Sequence, residues 1–354
     1  MLEREQWLNG GAVGSAFEPV LDTAWRSTVQ VICGGRRVAL GTIVRADGWI
    51  VTKASEVHDA RSLGVVLHDG RSFRAKLAAM DDANDLGLLR IAAHDLPVIS
   101  WSHGSAELGR WVATAWPAVE PGQSEESWWS AFGSELLRLG AGEEPGVATR
   151  PVSGAAGQPA DRMLGVGVIS ASRRAVAREG GVIGVRLGPG GPRYGGVIIS
   201  GVEPDSGAAA AGLVPGDIVT HVEGEATLTG EELSKAIRSH PPGKVLTIEY
   251  LRDGQAAQVR VTLGRQEQVF RNLFFDPHQA LNGQVSARRD GFSAIIQHHI
   301  PIGPAQCGGP LIDLDGRAVG LNIARVNRSE TYALPADVVR GAVDGLISQA
   351  QAAR

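Results

Sequence analysis

Residues 304–311 read Pro304-Ala305-Gln306-Cys307-Gly308-Gly309-Pro310-Leu311. Two glycines and two prolines within this stretch predict a tight turn. A side chain at such a turn lies close to several backbone N–H groups, which can stabilise negative charge. The side chain at this turn belongs to Cys307, one of only 2 cysteines in the 354 residues. Because a thiolate is a strong nucleophile, Cys307 is the candidate reactive residue of the chain.

The turn resembles the nucleophile loop of trypsin-like proteases, Gly-Asn/Asp-Ser-Gly-Gly-Pro, with cysteine in place of serine. Two upstream stretches resemble the rest of that site in the bacterial HtrA/Deg proteases, in the chain order His, Asp, nucleophile. Residues 41–57 match the run that carries the histidine, and its position is Ser55. Residues 81–91 match the run that carries the aspartate, which is Asp85. The resemblance implies a trypsin-like double β-barrel with one of three triad residues retained.

Loss of the histidine predicts loss of peptide hydrolysis. In the family mechanism the histidine takes the proton of the nucleophile and returns it to the leaving amine, and Ser55 can do neither near neutral pH. The oxyanion-hole glycine two positions before the nucleophile is Ala305. If that position needs a positive φ, the Cβ of Ala305 costs of order 1 kcal/mol or more. We therefore expect a pseudoprotease.

The alternative is an active endopeptidase with Cys307 as the nucleophile and Asp85 as a remnant orienting group. It needs another histidine as acid and base. His58 follows Ser55 by three residues, so the two side chains share a face if a short helix persists there. His298 and its neighbour His299 precede the turn and point to opposite faces of a predicted strand.

Two charged residues bracket the histidine position. Lys53 and Glu56 lie on either side of Ser55, and serine with lysine forms a catalytic dyad in some hydrolases. A spacing of two residues has no specificity for such a dyad. We interpret Lys53 and Glu56 as an ion pair on the protein surface, with an effect of a few tenths of a kcal/mol on stability.

A second group of motifs closely resembles a bacterial PDZ domain, in residues 181–187 and 202–219. Gly184 lets successive backbone N–H groups converge on the terminal carboxylate of a peptide. Residues 229–232, Thr-Gly-Glu-Glu, form a capping box that opens a helix, and Asp253-Gly254 is typical of a hairpin turn. The resemblance implies a peptide-binding groove formed by Val182, Ile183, Gly184, Val185, Leu233 and Ile237. On periodicity alone, Leu233 and Ile237 are core residues of an amphipathic helix.

The nucleophile turn follows the PDZ motifs in the chain, so the PDZ domain is predicted to be an insertion in the second barrel. Residues 165–171 and 292–297 resemble strands of that barrel, and residues 283–287 are an alternative strand at the junction. The predicted order is an N-terminal segment 1–24, a first barrel 25–100, the start of the second barrel 101–176 with a long loop 119–161, a PDZ domain 180–266, and the rest of the second barrel with a C-terminal helix 267–354.

Composition limits the remaining functions. A hydrophobic content of 43% supports real cores, and 47 glycines with 18 prolines suit a mainly β protein with an α+β insertion. The net charge of -4 comes without a basic tract, so nucleic acid is not an expected partner, and no apolar run is long enough for a membrane span. Cys33 and Cys307 suggest neither a metal site nor a supported disulfide, and no cofactor is expected.

The expected partners are peptides or protein C-termini, and homo-oligomer formation stays open. Residues 1–24 lack the charged start and apolar core of a signal peptide, which points to the cytoplasm for the chain as given. The family resemblance points instead to an extracytoplasmic location if the start is truncated. Localisation is therefore left open.

Overall fold

The computed structural model describes residues 11–58, 60, 62–104, 106–117, 162–270 and 283–352. The long loop predicted over residues 119–161 lies outside these residues. The chain forms two compact units. The larger one combines Met1–Val176 with Leu281–Arg354, and the smaller one is Ala177–Ala280.

The described residues contain eighteen strands and five α-helices. The strands are β1 (Thr28–Cys33), β2 (Arg36–Arg45), β3 (Trp49–Lys53), β4 (Leu63–Val66), β5 (Ser72–Asp81), β6 (Leu86–Arg90), β7 (Trp111–Pro117), β8 (Arg162–Val176), β9 (Val185–Gly191), β10 (Gly196–Val202), β11 (Ile218–Val222), β12 (Glu225–Ala226), β13 (Val245–Arg252), β14 (Gln255–Thr262), β15 (Phe292–His298), β16 (Pro310–Ile312), β17 (Ala318–Arg325) and β18 (Thr331–Pro335). The helices are α1 (Gly11–Ser27), α2 (Gly207–Ala210), α3 (Gly230–Arg238), α4 (Gln266–Val269) and α5 (Ala336–Ala352).

The larger unit contains two closed antiparallel barrels. The first has the strand order β1-β2-β3-β6-β5-β4, and the second has the order β15-β18-β17-β16-β7-β8. Alternating β-branched and leucine side chains fill the first barrel, among them Val31, Ile43, Ile50 and Leu89. Strand β8 pairs directly with β15, although the smaller unit separates them in the chain. The predicted mainly β fold class with a double barrel is confirmed.

Two helices, one near each end of the chain, pack on the barrels of the larger unit. The predicted C-terminal helix is confirmed as α5, which buries Val339, Val343 and Leu346 in a core shared with both barrels. Helix α1 was not predicted. Its buried residues Phe17, Leu21 and Ala24 have the three- and four-residue spacing of an amphipathic helix, which is the signal that could have revealed it. Among the described helices, none is long and apolar enough to cross a bilayer.

The smaller unit is an antiparallel sheet with short helices. Its strand order is β14-β13-β11-β10-β9, with β12 paired to β11. The predicted capping box is present at the start of α3, where Thr229 accepts from the backbone of Glu232 and the Glu232 side chain accepts from Thr229. The predicted hairpin is also present, because Arg252 pairs with Gln255 across Asp253-Gly254.

Candidate functional site

The nucleophile turn lies between β15 and β16 in the second barrel, and its cysteine is buried. A 3-10 turn, Pro304–Gln306, precedes Cys307, whose side chain is fully buried. The Cys307 Sγ lies 3.9 Å from Ser286 Oγ and 3.9 Å from the carbonyl oxygen of Gly303. Burial raises the pKa of the Cys307 thiol to about 11, although Lys53 and the Ser286 hydrogen bond act in the opposite direction.

Two backbone N–H groups of this turn donate within the turn itself. The Cys307 N–H donates to the carbonyl oxygen of Pro304 at 3.0 Å, and the Gln306 N–H donates to Gly303 at 3.0 Å. Ala305 has no positive φ, so the strain that its Cβ would otherwise cause is absent. An oxyanion hole needs donors aimed at the reacting carbonyl. Here the Cys307 donor is already bonded within the turn.

The turn links the two barrels through hydrogen bonds. The Leu40 N–H of β2 donates to the Cys307 carbonyl at 2.8 Å, and the Thr42 hydroxyl donates to the Gly308 carbonyl at 2.9 Å. Gly308 has a φ of +97°, and an added Cβ would lie 1.9 Å from the Leu40 carbonyl oxygen. Only glycine fits this close approach.

A Gly308→Ala exchange is expected to destabilise the protein by about 3 kcal/mol or more, because it adds both backbone strain and a backbone clash. Urea unfolding of the full chain measures the change. The matched control is Gly345→Ala in α5, where an added Cβ meets nothing within 4 Å. That control is expected to stabilise by about 0.5–1 kcal/mol. Equal effects of the two exchanges would contradict a structural role for the turn.

The positions of the histidine and the aspartate lie together in the first barrel. Ser55 follows β3, and Asp85, at a φ of +57°, ends the turn before β6. Asp85 Oδ1 accepts from the Ser55 backbone at 2.7 Å, and its Oδ2 accepts from the Ser55 hydroxyl at 3.0 Å. The structure thus brings Ser55 and Asp85 into contact.

A lysine completes this cluster, and the predicted ion pair of Lys53 with Glu56 is present but does not lie on the surface, because the Lys53 side chain is fully buried. The Lys53 side chain is fully buried and donates to Asp85 Oδ2 at 2.8 Å and to Ser55 Oγ at 2.6 Å. Its third hydrogen bond goes to the carbonyl oxygen of Arg288 at 3.2 Å. Asp85 is the closer of the two acidic partners, since Glu56 Oε1 lies 4.0 Å from Lys53 Nζ. The ammonium group needs Asp85 because a buried charge must be paired.

Residues 283–291, here called the cleft segment, contact both Cys307 and Lys53 of the cluster with Asp85. Ser286 is fully buried beside Cys307. Its N–H donates to the Arg325 carbonyl of β17 at 2.9 Å, and its hydroxyl accepts from the Arg325 N–H at 2.9 Å. Two residues later, the Arg288 carbonyl accepts from Lys53. The Arg288 guanidinium donates to the carbonyl oxygen of Ala83 at 3.0 Å. The cleft segment is not a strand, and sequence reasoning did not predict its place at the site.

The candidate histidines are not arranged as a catalytic base. His298 is fully buried, its Nε2 lies 2.8 Å from Asn322 Oδ1, and its Nδ1 accepts from the Ile300 N–H. Burial lowers the pKa of His298 to about 4, so the ring is neutral near pH 7. His58 is exposed and contacts the Ser55 carbonyl. Among the described residues, the groups that shift the Cys307 pKa include no histidine.

The six predicted peptide-binding residues surround one groove of about 80 Å³ in the smaller unit. It is lined by Gly181, Val182, Ile183, Gly184, Val185, Leu187, Leu233, Ser234, Ile237, Arg238 and Phe270. The Ile183 and Gly184 N–H groups have no hydrogen-bond partner among the described residues. Leu233 and Ile237 are also buried in the core of this unit, as their helical periodicity predicts. Sequence reasoning missed Phe270.

The described residues show no cluster of three or more side chains suited to a metal ion. Cys33 and Cys307 are both free thiols. These observations leave the site with side-chain hydrogen bonds, one buried ion pair and one buried thiol.

Comparison with known proteins gives a match to the PDZ domain family over residues 163–263. The match begins within β8, which pairs with barrel strands. A probable periplasmic serine endoprotease DegP-like of Halomonas elongata is 26% identical over 279 residues, covering 65% of this chain and 56% of that protein. The serine endoprotease DegS of Haemophilus influenzae is 25% identical, covering 63% of this chain and 76% of that protein. The chain thus spans little more than half of its DegP-like relative.

Two solved structures are also similar. The serine endoprotease from Yersinia pestis has a TM-score of 0.30 at 18% identity and covers 70% of this chain and 97% of its own. An M. tuberculosis protein, solved as an inactive mutant form, has a TM-score of 0.45 at 12% identity and covers 95% of this chain and 93% of its own.

Proposed function

Because this chain belongs to the HtrA/Deg-like family of PDZ-containing, trypsin-like proteases, we propose that it is a proteolytically inactive member that binds protein C-termini or extended peptides. The observation that carries the proposal is the buried pair of Lys53 and Asp85. In the family mechanism the aspartate orients a histidine. Here Asp85 is held by an ammonium group and a serine hydroxyl.

The lysine is no replacement for the missing base. Its three ammonium hydrogens are donated to Ser55, Asp85 and the Arg288 carbonyl. An ammonium bonded in this way has no lone pair for a proton from a nucleophile. The same hydrogen bonds leave it no proton directed at a leaving amine. Within the part of the chain that the structure describes, both proton transfers of peptide hydrolysis therefore lack a partner.

Cys307 is also held as a neutral thiol, whereas nucleophilic attack requires the thiolate. With a pKa of about 11, Cys307 is thiolate in only about one molecule in 10⁴ at pH 7. A reactive cysteine needs a lowered pKa and access to solvent, whereas Cys307 is fully buried beside Ser286. The active endopeptidase with Cys307 as nucleophile gains no support from this geometry.

The binding half of the proposal rests on the groove of the smaller unit. The N–H groups of Ile183 and Gly184, which have no partner among the residues that the structure describes, are suited to a peptide carboxylate. Apolar side chains of Val182, Leu233 and Ile237 form walls for the last side chain of the peptide. An extended peptide can then add as a strand beside the sheet.

The proposal predicts that the native chain cleaves an unfolded protein no faster than its Cys307→Ala variant does. The test incubates each full-length chain with reduced, unfolded casein and follows new amino termini. The variant is a matched control because it removes only the sulfur from an otherwise unchanged turn. Cleavage by the native chain that disappears in Cys307→Ala would contradict the inactive assignment.

A further inference from the structure

The peptide groove has a third wall that lies outside the stretch matched by the PDZ domain family. That match ends at residue 263, whereas α4 and Phe270 follow it. The first wall is the loop 181–184, and the second is α3 with Leu233 and Ile237. Phe270 lines the same groove. The groove is therefore narrower than the matched residues alone would make it.

The third wall is anchored at both ends of α4. At its start, the Arg265 guanidinium donates to Glu179 Oε2 at 2.6 Å, and the Gln266 N–H donates to the other oxygen at 3.1 Å. At its end, Val269 packs against two glycines. An added Cβ would lie 2.7 Å from a Val269 methyl at Gly184 and 2.5 Å from one at Gly264. These contacts hold the residue that follows, Phe270, beside the groove.

We propose that Phe270 determines which C-terminal residue the groove takes, by limiting it to aliphatic side chains such as valine and excluding aromatic ones. This inference rests on the proposed peptide-binding function. The volume of the groove is about 80 Å³, and an apolar cavity that holds benzene measures about 150 Å³. A phenylalanine ring at the peptide terminus would therefore collide with Phe270, whereas a branched aliphatic group packs against it.

The test compares the full-length native chain with Phe270→Ala. Each is exposed to immobilised peptide pools that have free carboxyl ends, random preceding residues and either valine or phenylalanine as the last residue. The native chain is expected to favour the valine pool. Because one methylene in an apolar pocket alters discrimination by at least about tenfold, Phe270→Ala is expected to raise the phenylalanine-to-valine binding ratio at least about tenfold.

Two further variants test whether the change in binding depends on the size and the position of the side chain. Phe270→Leu keeps an apolar wall and is expected to give an intermediate ratio. Val214→Ala removes an exposed apolar side chain of the same unit that does not line the groove, and it is expected to leave the ratio unchanged. Thermal unfolding of each variant shows whether the unit is still folded.

Amidated copies of the pools separate the two levels of the inference. If the native chain binds neither pool, the proposed peptide function fails and this inference fails with it. If it binds free-carboxyl and amidated pools equally, it binds extended peptides without recognising the terminal carboxylate, and only this inference fails. If the native chain requires the free carboxyl but Phe270→Ala keeps the native preference, or tightens both pools equally, only the role of Phe270 is overturned. A shift toward phenylalanine with the carboxyl requirement intact supports both.

Discussion

Replacing Lys53 with methionine is expected to destabilise the protein by about 3–5 kcal/mol. The exchange removes one partner of a fully buried ion pair and leaves the Asp85 carboxylate, itself nearly inaccessible, without its cation. It also leaves the Arg288 carbonyl of the cleft segment without its donor. Urea unfolding of the full-length chain at neutral pH measures the loss.

The matched double variant separates the charge from the packing. In Lys53→Met combined with Asp85→Asn, no buried carboxylate remains, and the asparagine oxygen can still accept from the Ser55 N–H. The double variant is therefore expected to be more stable than Lys53→Met alone. Lys76→Met on β5 is the surface control, because Lys76 is exposed, and its effect is expected within about 0.5 kcal/mol. If Lys53→Met behaves like Lys76→Met, the pair does not hold the site together.

In the proposed inactive protein, the ion pair gives the aspartate at position 85 a structural role. Asp85 still accepts the hydrogen bonds of a residue at the histidine position, since Ser55 supplies both its N–H and its hydroxyl. Lys53 supplies the positive charge that an imidazolium would carry during the reaction. The arrangement preserves the hydrogen bonds of the barrel while it removes the proton carrier.

The barrels could be predicted because three short runs of the chain resemble those of trypsin-like proteases. These runs surround Ser55, Asp85 and Cys307, and the turn at Cys307 has a specific glycine requirement at Gly308. The start of α3 followed from a capping box within four residues. Elements with such short-range causes were predicted correctly.

The centre of the site could not be predicted in the same way. Lys53 was assigned to a surface pair with Glu56 because the two are close in sequence, whereas its partner Asp85 is 32 positions away and reaches it only through strand pairing of β3 with β6. Ser286 has no motif that places it beside Cys307. Burial and partner choice at these residues are tertiary effects, which sequence patterns do not encode.

The thiol of Cys307 is expected to react more than about 100-fold more slowly in the folded chain than in the unfolded chain. At pH 8 an ordinary cysteine is roughly one quarter thiolate, whereas a pKa of about 11 leaves Cys307 about one part in 10³ thiolate. Burial beneath Ser286 slows access further. A Cys33→Ser background makes Cys307 the single thiol, since the chain has only 2 cysteines.

The most direct test of an inactive, sealed site is therefore the rate at which a peptide-based thiol-reactive probe labels Cys307 in that background, followed by mass spectrometry. The same chain in concentrated guanidinium chloride gives the reference rate with iodoacetamide, and Cys307→Ala gives the blank. With iodoacetamide, the account predicts that Cys307 in the folded chain is labelled more than about 100-fold more slowly than in the unfolded chain. It also predicts that the peptide probe labels the folded chain no faster than iodoacetamide does. Labelling of the folded chain by the peptide probe at or above the unfolded rate would contradict it.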